Sequence, residues 1–202
     1  MEKKEFSLLE SPTIMLVLTN IIVYIFTSIL SGNPLVTNRE LMRQIGQYNR
    51  YIIYKGYYWQ LFTSMFVHAD IGHLANNMIF LLIFGLRAEE LFREREYLAI
   101  YFISGLFGNI LTLLILTWIL GPDVVSVGAS GAIFGIFGAC IVYIYQSIIA
   151  VAFYSIILFM MSTGSGVNIL AHFGGLVIGL LLGYYFARMR RYGIIYRTEY
   201  RI

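Results

Sequence analysis

Six stretches of this chain are built almost wholly from apolar side chains, and no other feature restricts its fold as strongly. They cover about residues 12–30, 61–86, 97–120, 124–145, 148–161 and 167–187. A hydrocarbon layer about 30 Å thick asks for roughly 20 apolar residues per helix. Runs of this kind identify membrane spans, whereas a high overall apolar content alone would not. Charged residues make up 12% of the 202 positions, about half of what a soluble domain of ordinary composition carries. The expected fold is an all-α integral membrane protein with six transmembrane helices in one domain, residues 1–202, with no internal repeat.

Breaks separate the runs. Ser31-Gly32-Asn33-Pro34 ends the first, the charged stretch Arg87 to Glu96 the second, and Gly121-Pro122-Asp123 the third. Gln146-Ser147 makes a short turn, and Ser162-Thr163-Gly164-Ser165-Gly166 ends the fifth. The first run is not a cleavable leader, because it is long, acidic residues precede it and no small-x-small site follows. The lone Cys140 excludes an intrachain disulfide. The net charge of +3 comes without any aromatic-plus-basic RNA motif, so no nucleic acid is expected as a partner.

Orientation follows from lysine and arginine. With an even number of spans both termini share one side. That side collects Lys3, Lys4, Arg87, Arg93, Arg95, Arg188, Arg190, Arg191, Arg197 and Arg201. The other side has only Arg39, Arg43, Arg50 and Lys55, all in the long connection between the first two runs. Both termini are therefore expected in the cytoplasm. The long connection also holds Tyr48, Tyr51, Tyr54, Tyr57 and Tyr58, which places it in the headgroup zone. Its Leu41, Met42, Ile45 and Tyr48 spacing predicts a short amphipathic helix.

In this topology the second, fourth and sixth spans all enter from the outer face. Ser130 opens the helical part of the fourth. His172 lies about five residues into the sixth, roughly 8 Å down at 1.5 Å per residue. His73 and Asn77 lie in the outer part of the second. Polar groups from three spans thus share one depth, where ionisable side chains are costly and mark function. A helix-bridging hydrogen bond is the plainer reading for any one of them, and Gly128-Ala129-Ser130-Gly131 alone would serve as a small-residue helix contact. Together they fit acyl transfer, in which a serine needs a base and an oxyanion site. His73 and Asn77, four apart, share a helix face and both can donate. No Asp or Glu lies in the core of a span, so the pair is a dyad rather than a triad. Gly175, Gly179 and Gly183 on the sixth span, with Gly131 and Gly135 on the fourth, form small-residue stripes that would let those helices touch.

These residues, in this order, resemble the rhomboid family of intramembrane serine proteases. Gly128-Ala129-Ser130-Gly131 looks like the family's nucleophile motif. Asn168-Ile169-Leu170-Ala171-His172-Phe173-Gly174-Gly175, with Gly179, looks like its histidine helix. His68-Ala69-Asp70-Ile71-Gly72-His73 through Asn77 looks like its second-span motif. The resemblance implies a six-span rhomboid-like bundle of the minimal type common in prokaryotes, without a seventh span or accessory domain, in a prokaryotic cell membrane. It implies Ser130 as nucleophile, His172 as general base, and His73, Asn77 and the Ser130 backbone N–H as oxyanion donors. Gly128, Gly131, Gly175 and Gly179 would support the site. His68 would hydrogen-bond within the first loop or second span. Glu89 resembles a buried carboxylate near the cytoplasmic end of the second span, and a solvated charge is the other reading. Where the family often has Trp-Arg before the second span, this chain has Trp59-Gln60, a departure that bears on how the first loop is anchored. The implied substrates are single-span membrane proteins cut near the outer face, with no cofactor.

Rival chemistries fit less well. Zinc proteolysis needs a pattern such as His-Glu-x-x-His, whereas His68 and His73 are five apart. An aspartyl protease needs paired buried aspartates, but Asp70 and Asp123 sit near span ends. A transporter would bind at the midplane between repeats. An inactive rhomboid-like protein that binds membrane clients is the remaining alternative, although such proteins generally lack the serine or the histidine. The fifth span, carrying Phe153, Tyr154, Phe159, Met160 and Met161 without glycine stripes, is the loosest wall.

Overall fold

A computed structural model of the chain describes residues 10–161 and 167–199. Lys3, Lys4, Arg201 and the Ser162–Gly166 break lie outside them. The described chain is helical apart from loops and one two-stranded pairing.

Helix α1, Pro12–Ser31, starts where Ser11 Oγ accepts the Ile14 N–H and Pro12 occupies the first turn. Proline loses nothing there, because that N–H has no intrahelical partner. Gly32, at φ +63°, ends it. The connection that follows contains α2 (Arg39–Ile45), β1 (Gln47–Tyr48), α3 (Asn49–Lys55) and α4 (Gln60–Thr63). The expected short helix is α2. Tyr48, Tyr51, Tyr57 and Trp59 form a chain of ring contacts, with Lys55 Nζ 3.5 Å from the Tyr51 ring centre.

Helix α5 spans Ile71–Leu91, so it starts ten residues after the expected Leu61. The cause is Asp70, whose carboxylate accepts the His73 N–H at 2.8 Å and caps the helix. The apolar residues before it fold into α4 and a turn. Helix α6, Glu94–Leu120, carries Glu94 and Glu96 in its first turn, where the helix dipole favours acids. Next come β2 (Val125–Ser126), α7 (Ser130–Tyr145), α8 (Ile148–Met161) and α9 (Ile169–Glu199). The fourth helix starts at Ser130, as expected, and the apolar residues before it do not join it because Val125 and Ser126 pair with Tyr48 and Gln47. The sixth continues to Glu199, past the expected end at Ala187.

Among the described residues, four helices are long and apolar enough to cross a membrane: Pro12–Ser31, Ile71–Leu91, Glu94–Leu120 and the Ile169–Arg190 part of α9. Helices α7 and α8 are apolar but shorter. At 16 residues, α7 is about 24 Å long, less than the hydrocarbon thickness. It can be short because protein surrounds it. Every residue from Gly131 to Cys140 is buried, and α5, α6, α8 and α9 all pack on it. Trp118, Ile29, Ile149 and Met160 point outward, Trp118 with 87% exposure. That apolar exterior is what a bilayer-embedded bundle presents.

The tightest packing is between α7 and α9. A Cβ on Gly175 would fall on the carbonyl oxygen of Gly131, and one on Gly179 on that of Gly135. Only glycine allows two backbones this close. At the far end of the bundle, Glu96 pairs with Arg190 at 2.5 Å, and Arg190 also reaches the Tyr143 hydroxyl at 3.2 Å. Glu89 accepts from Ser11 Oγ at 2.7 Å and Thr13 N at 2.8 Å. It is therefore a half-buried acceptor at the N-terminus of α1, not a solvated charge.

Candidate active site

Three helices begin at one end of the bundle, and each brings polar groups in its first two turns. Ser130 is the first residue of α7, His172 the fourth of α9, and His73 and Asn77 occupy the first two turns of α5. His172 thus lies nearer its helix start than a span beginning at Val167 implied.

The ring of His172 stacks on Phe134, centroids 4.3 Å apart and planes 14° from parallel. That contact aims Nε2 at Ser130 Oγ, 2.8 Å away. The Phe134 ring comes from the same helix as Ser130, one turn on. Ser130 also sits where the first amides of α7 have no intrahelical acceptor, so negative charge is favoured there.

Gly128 forms the facing wall. Its φ of +121° suits glycine. A Cβ there would lie 2.8 Å from His73 Nε2 and 3.5 Å from Asn77 Nδ2, so both donors approach the same backbone. The Gly128 N–H is held by the Ser64 carbonyl at 2.9 Å. Asn77 Nδ2 is buried and has no hydrogen-bond partner among the described residues. His68 is wholly buried, with Nδ1 3.3 Å from the Phe66 carbonyl and its ring edge-on to His73 at 5.1 Å. It therefore packs behind His73 within the first loop. Together Ser130, His172, His73, Asn77 and Gly128 line a cavity of about 750 Å³. Gly131 also lines it, and Gly175 and Gly179 lie behind, in the α7–α9 contact.

Gln60 answers the question its Trp59-Gln60 context raised. Fully buried, it donates to the carbonyls of Arg43 at 2.8 Å and Gln44 at 3.0 Å, and accepts from Tyr48 N at 3.0 Å. The amide thus anchors the first loop without a charge. A bidentate pair between Arg50 and Asp123, with Tyr48 Oη donating to the same carboxylate at 2.6 Å, closes the loop above. The Arg50 guanidinium, helped by Tyr48, holds the Asp123 carboxyl well below the usual carboxylate range.

Residues not expected from the sequence join these parts. Asn109, midway along α6, donates to Leu61 O and Ser64 Oγ and accepts from Gln47 Nε2 through its carbonyl. Asn168 bonds to Thr112, Ser126 and Ala171. The available signal was an amide inside an uncharged apolar run, which needs a partner once buried. Among the described residues no group of three or more His, Cys, Asp or Glu is placed to hold a metal ion.

Comparison with known proteins agrees with this layout. The family model for the Rhomboid domain matches residues 55–189. Rhomboid-like protease 3 of Toxoplasma gondii is 32% identical over 82% of this chain and 65% of its own length. RHOMBOID-like protein 5 of Arabidopsis thaliana is 33% identical over 82% of this chain and 58% of its own. RHOMBOID-like protein 6, mitochondrial, from the same plant, is 38% identical over 62% and 43%. The chain therefore spans less than two thirds of the length of each of these relatives. The match takes in α5 to α8 and most of α9, the helices that meet at Ser130 and His172. This chain belongs to the rhomboid family of integral, multi-pass membrane proteins.

Proposed function

We propose that this protein is an intramembrane serine endopeptidase that cuts single-span membrane proteins near the outer face of the bilayer. The observation that carries the reading is the 2.8 Å approach of His172 Nε2 to Ser130 Oγ inside a cavity bordered by an unpartnered amide donor. Ser130 Oγ bonds to the scissile carbonyl carbon as its proton passes to His172 Nε2. The carbonyl oxygen, now an anion, lies toward the Ser130 N–H, His73 and Asn77. His172 then protonates the leaving amine as the peptide bond breaks, and the acyl-enzyme is released by a water that His172 deprotonates in turn. No step uses a metal.

The same reading gives six spans with both termini in the cytoplasm. Helices α7 and α8 would cross as the two short spans, α7 enclosed by its neighbours and α8 at the edge, and the end bearing Ser130 would face outward. Water reaches the site from there.

Purified protein in liposomes, with a panel of single-span substrates, tests the activity. Cleavage is expected from the unaltered protein, with Ser130→Ala folded and inactive and a fluorophosphonate labelling Ser130. EDTA should leave the rate unchanged. Cleavage by Ser130→Ala would overturn the assignment. Binding without cleavage across the panel would favour a client-binding protein instead.

A further inference from the structure

We infer that Asn168 is a positioning residue that sets the Ser130–His172 distance. This rests on the proposed dyad and assigns a part of it to a side chain that touches neither reacting atom.

The two members of the dyad come from segments 42 residues apart. The glycine contacts between α7 and α9 fix the spacing along the helix bodies, but the dyad sits at the helix starts, where backbone hydrogen bonding is incomplete. Asn168 occupies that gap. Its Oδ1 accepts the Ala171 N–H at 3.0 Å, and its carbonyl accepts the His172 N–H at 3.2 Å. It therefore caps the turn that carries His172. Its Nδ2 donates at 2.9 Å to Thr112 Oγ1 on α6 and at 2.8 Å to Ser126 Oγ on β2.

Ser126 is two residues before Gly128 and four before Ser130. One amide thus ties the histidine's helix to the strand that delivers both the nucleophile and the oxyanion wall. Thr112 adds a fixed post: it is fully buried, and its hydroxyl donates to the Gly108 carbonyl. Gly108 in turn lies against the Ala171 backbone, where a Cβ would come within 2.5 Å of the Ala171 oxygen.

Asn168→Ser separates the two halves of this role. Serine still caps a helix, but its hydroxyl is too short to reach Thr112 and Ser126. A misplacement of about 1 Å can cost on the order of 100-fold in rate. With the helix bodies still in contact, a fall in kcat of roughly tenfold is expected, with KM and melting temperature unchanged. Fluorophosphonate labelling of Ser130, which involves no substrate helix, should slow in parallel. A Thr112→Val/Ser126→Ala variant, which keeps Asn168, should show the same loss, and adding Asn168→Ser to it should cost nothing more. The inference is overturned by full kcat in Asn168→Ser, by a loss that follows a lowered melting temperature, or by losses that add. If Asn168→Ser does not fold, full kcat in Thr112→Val/Ser126→Ala overturns it equally. Cleavage by Ser130→Ala would remove the dyad itself, whereas an inactive Ser130→Ala beside a fully active Asn168→Ser would remove only this inference.

Discussion

Among the described residues nothing pairs with the buried amide nitrogen of Asn77, and a donor left so costs about 1–3 kcal/mol of stability. Such a cost is tolerated where a ligand or transition state will use the donor. Asn77→Ala removes the unpaired donor, so its melting temperature should not fall. Its kcat should drop by up to about 100-fold with KM nearly unchanged, because the donor acts on charge present only in the transition state. His73 and the Ser130 N–H remain, which keeps the loss at the lower end. Cleavage kinetics beside thermal unfolding of the same samples check this, and full kcat would make Asn77 a packing residue. At this scale the sequence was legible for a physical reason. Ser130, His172, His73 and Asn77 are conspicuous because a membrane span penalises polar groups. Asn168 stood out only as the first residue of the histidine motif and Gln60 only as a departure before the second span, since an amide next to a helix start reads as an ordinary cap or loop residue. Only the fold reveals that Asn168 reaches α6 and β2 at once.

Between elements, the α7–α9 contact sets the geometry. Gly179→Ala would place a methyl on the Gly135 carbonyl, and the helices would have to part. Overpacking of this kind costs about 1–3 kcal/mol. Both melting temperature and cleavage rate should fall, while Leu181→Ala, exposed on the same helix, should change neither. A Gly179→Ala protein with normal stability would show that the backbones are not in contact. The stripes were readable from four-residue spacing, and so was the start of α7 at Ser130, but the start of α5 was not. Hydropathy ran the second span back to Leu61, because apolarity does not distinguish a helix from a loop buried beside one. Asp70 and the Gln47–Ser126 pairing decide where the helices begin.

At the scale of the whole bundle, four helices among the described residues have the length to cross a bilayer and two fall short. A six-span crossing still requires both chain ends on one side. A phosphatase active only outside the cytoplasm, fused to the C-terminal end, should be silent, and the same enzyme inserted near Gly56 should be active. The reverse pattern would invert the orientation read from lysine and arginine. The membrane helices were legible as apolar runs because membrane insertion acts on whole stretches of sequence. Of the first loop only α2 was legible, since the rest of its shape depends on single contacts such as Gln60 with the carbonyls of Arg43 and Gln44.

The Arg50–Asp123 closure carries a proton linkage of its own. Asp123 has its pKa depressed in the folded chain, so its contribution is present above the ordinary carboxylate range and is lost only as pH falls through the lowered folded value. Mild acid therefore leaves the loop closed. Salt acts differently: both partners are exposed, at 46% and 61%, and at about 0.15 M ionic strength charges are screened over roughly 8 Å. The Arg50–Asp123 tie is thus tolerant of mild acid and weakened by high salt.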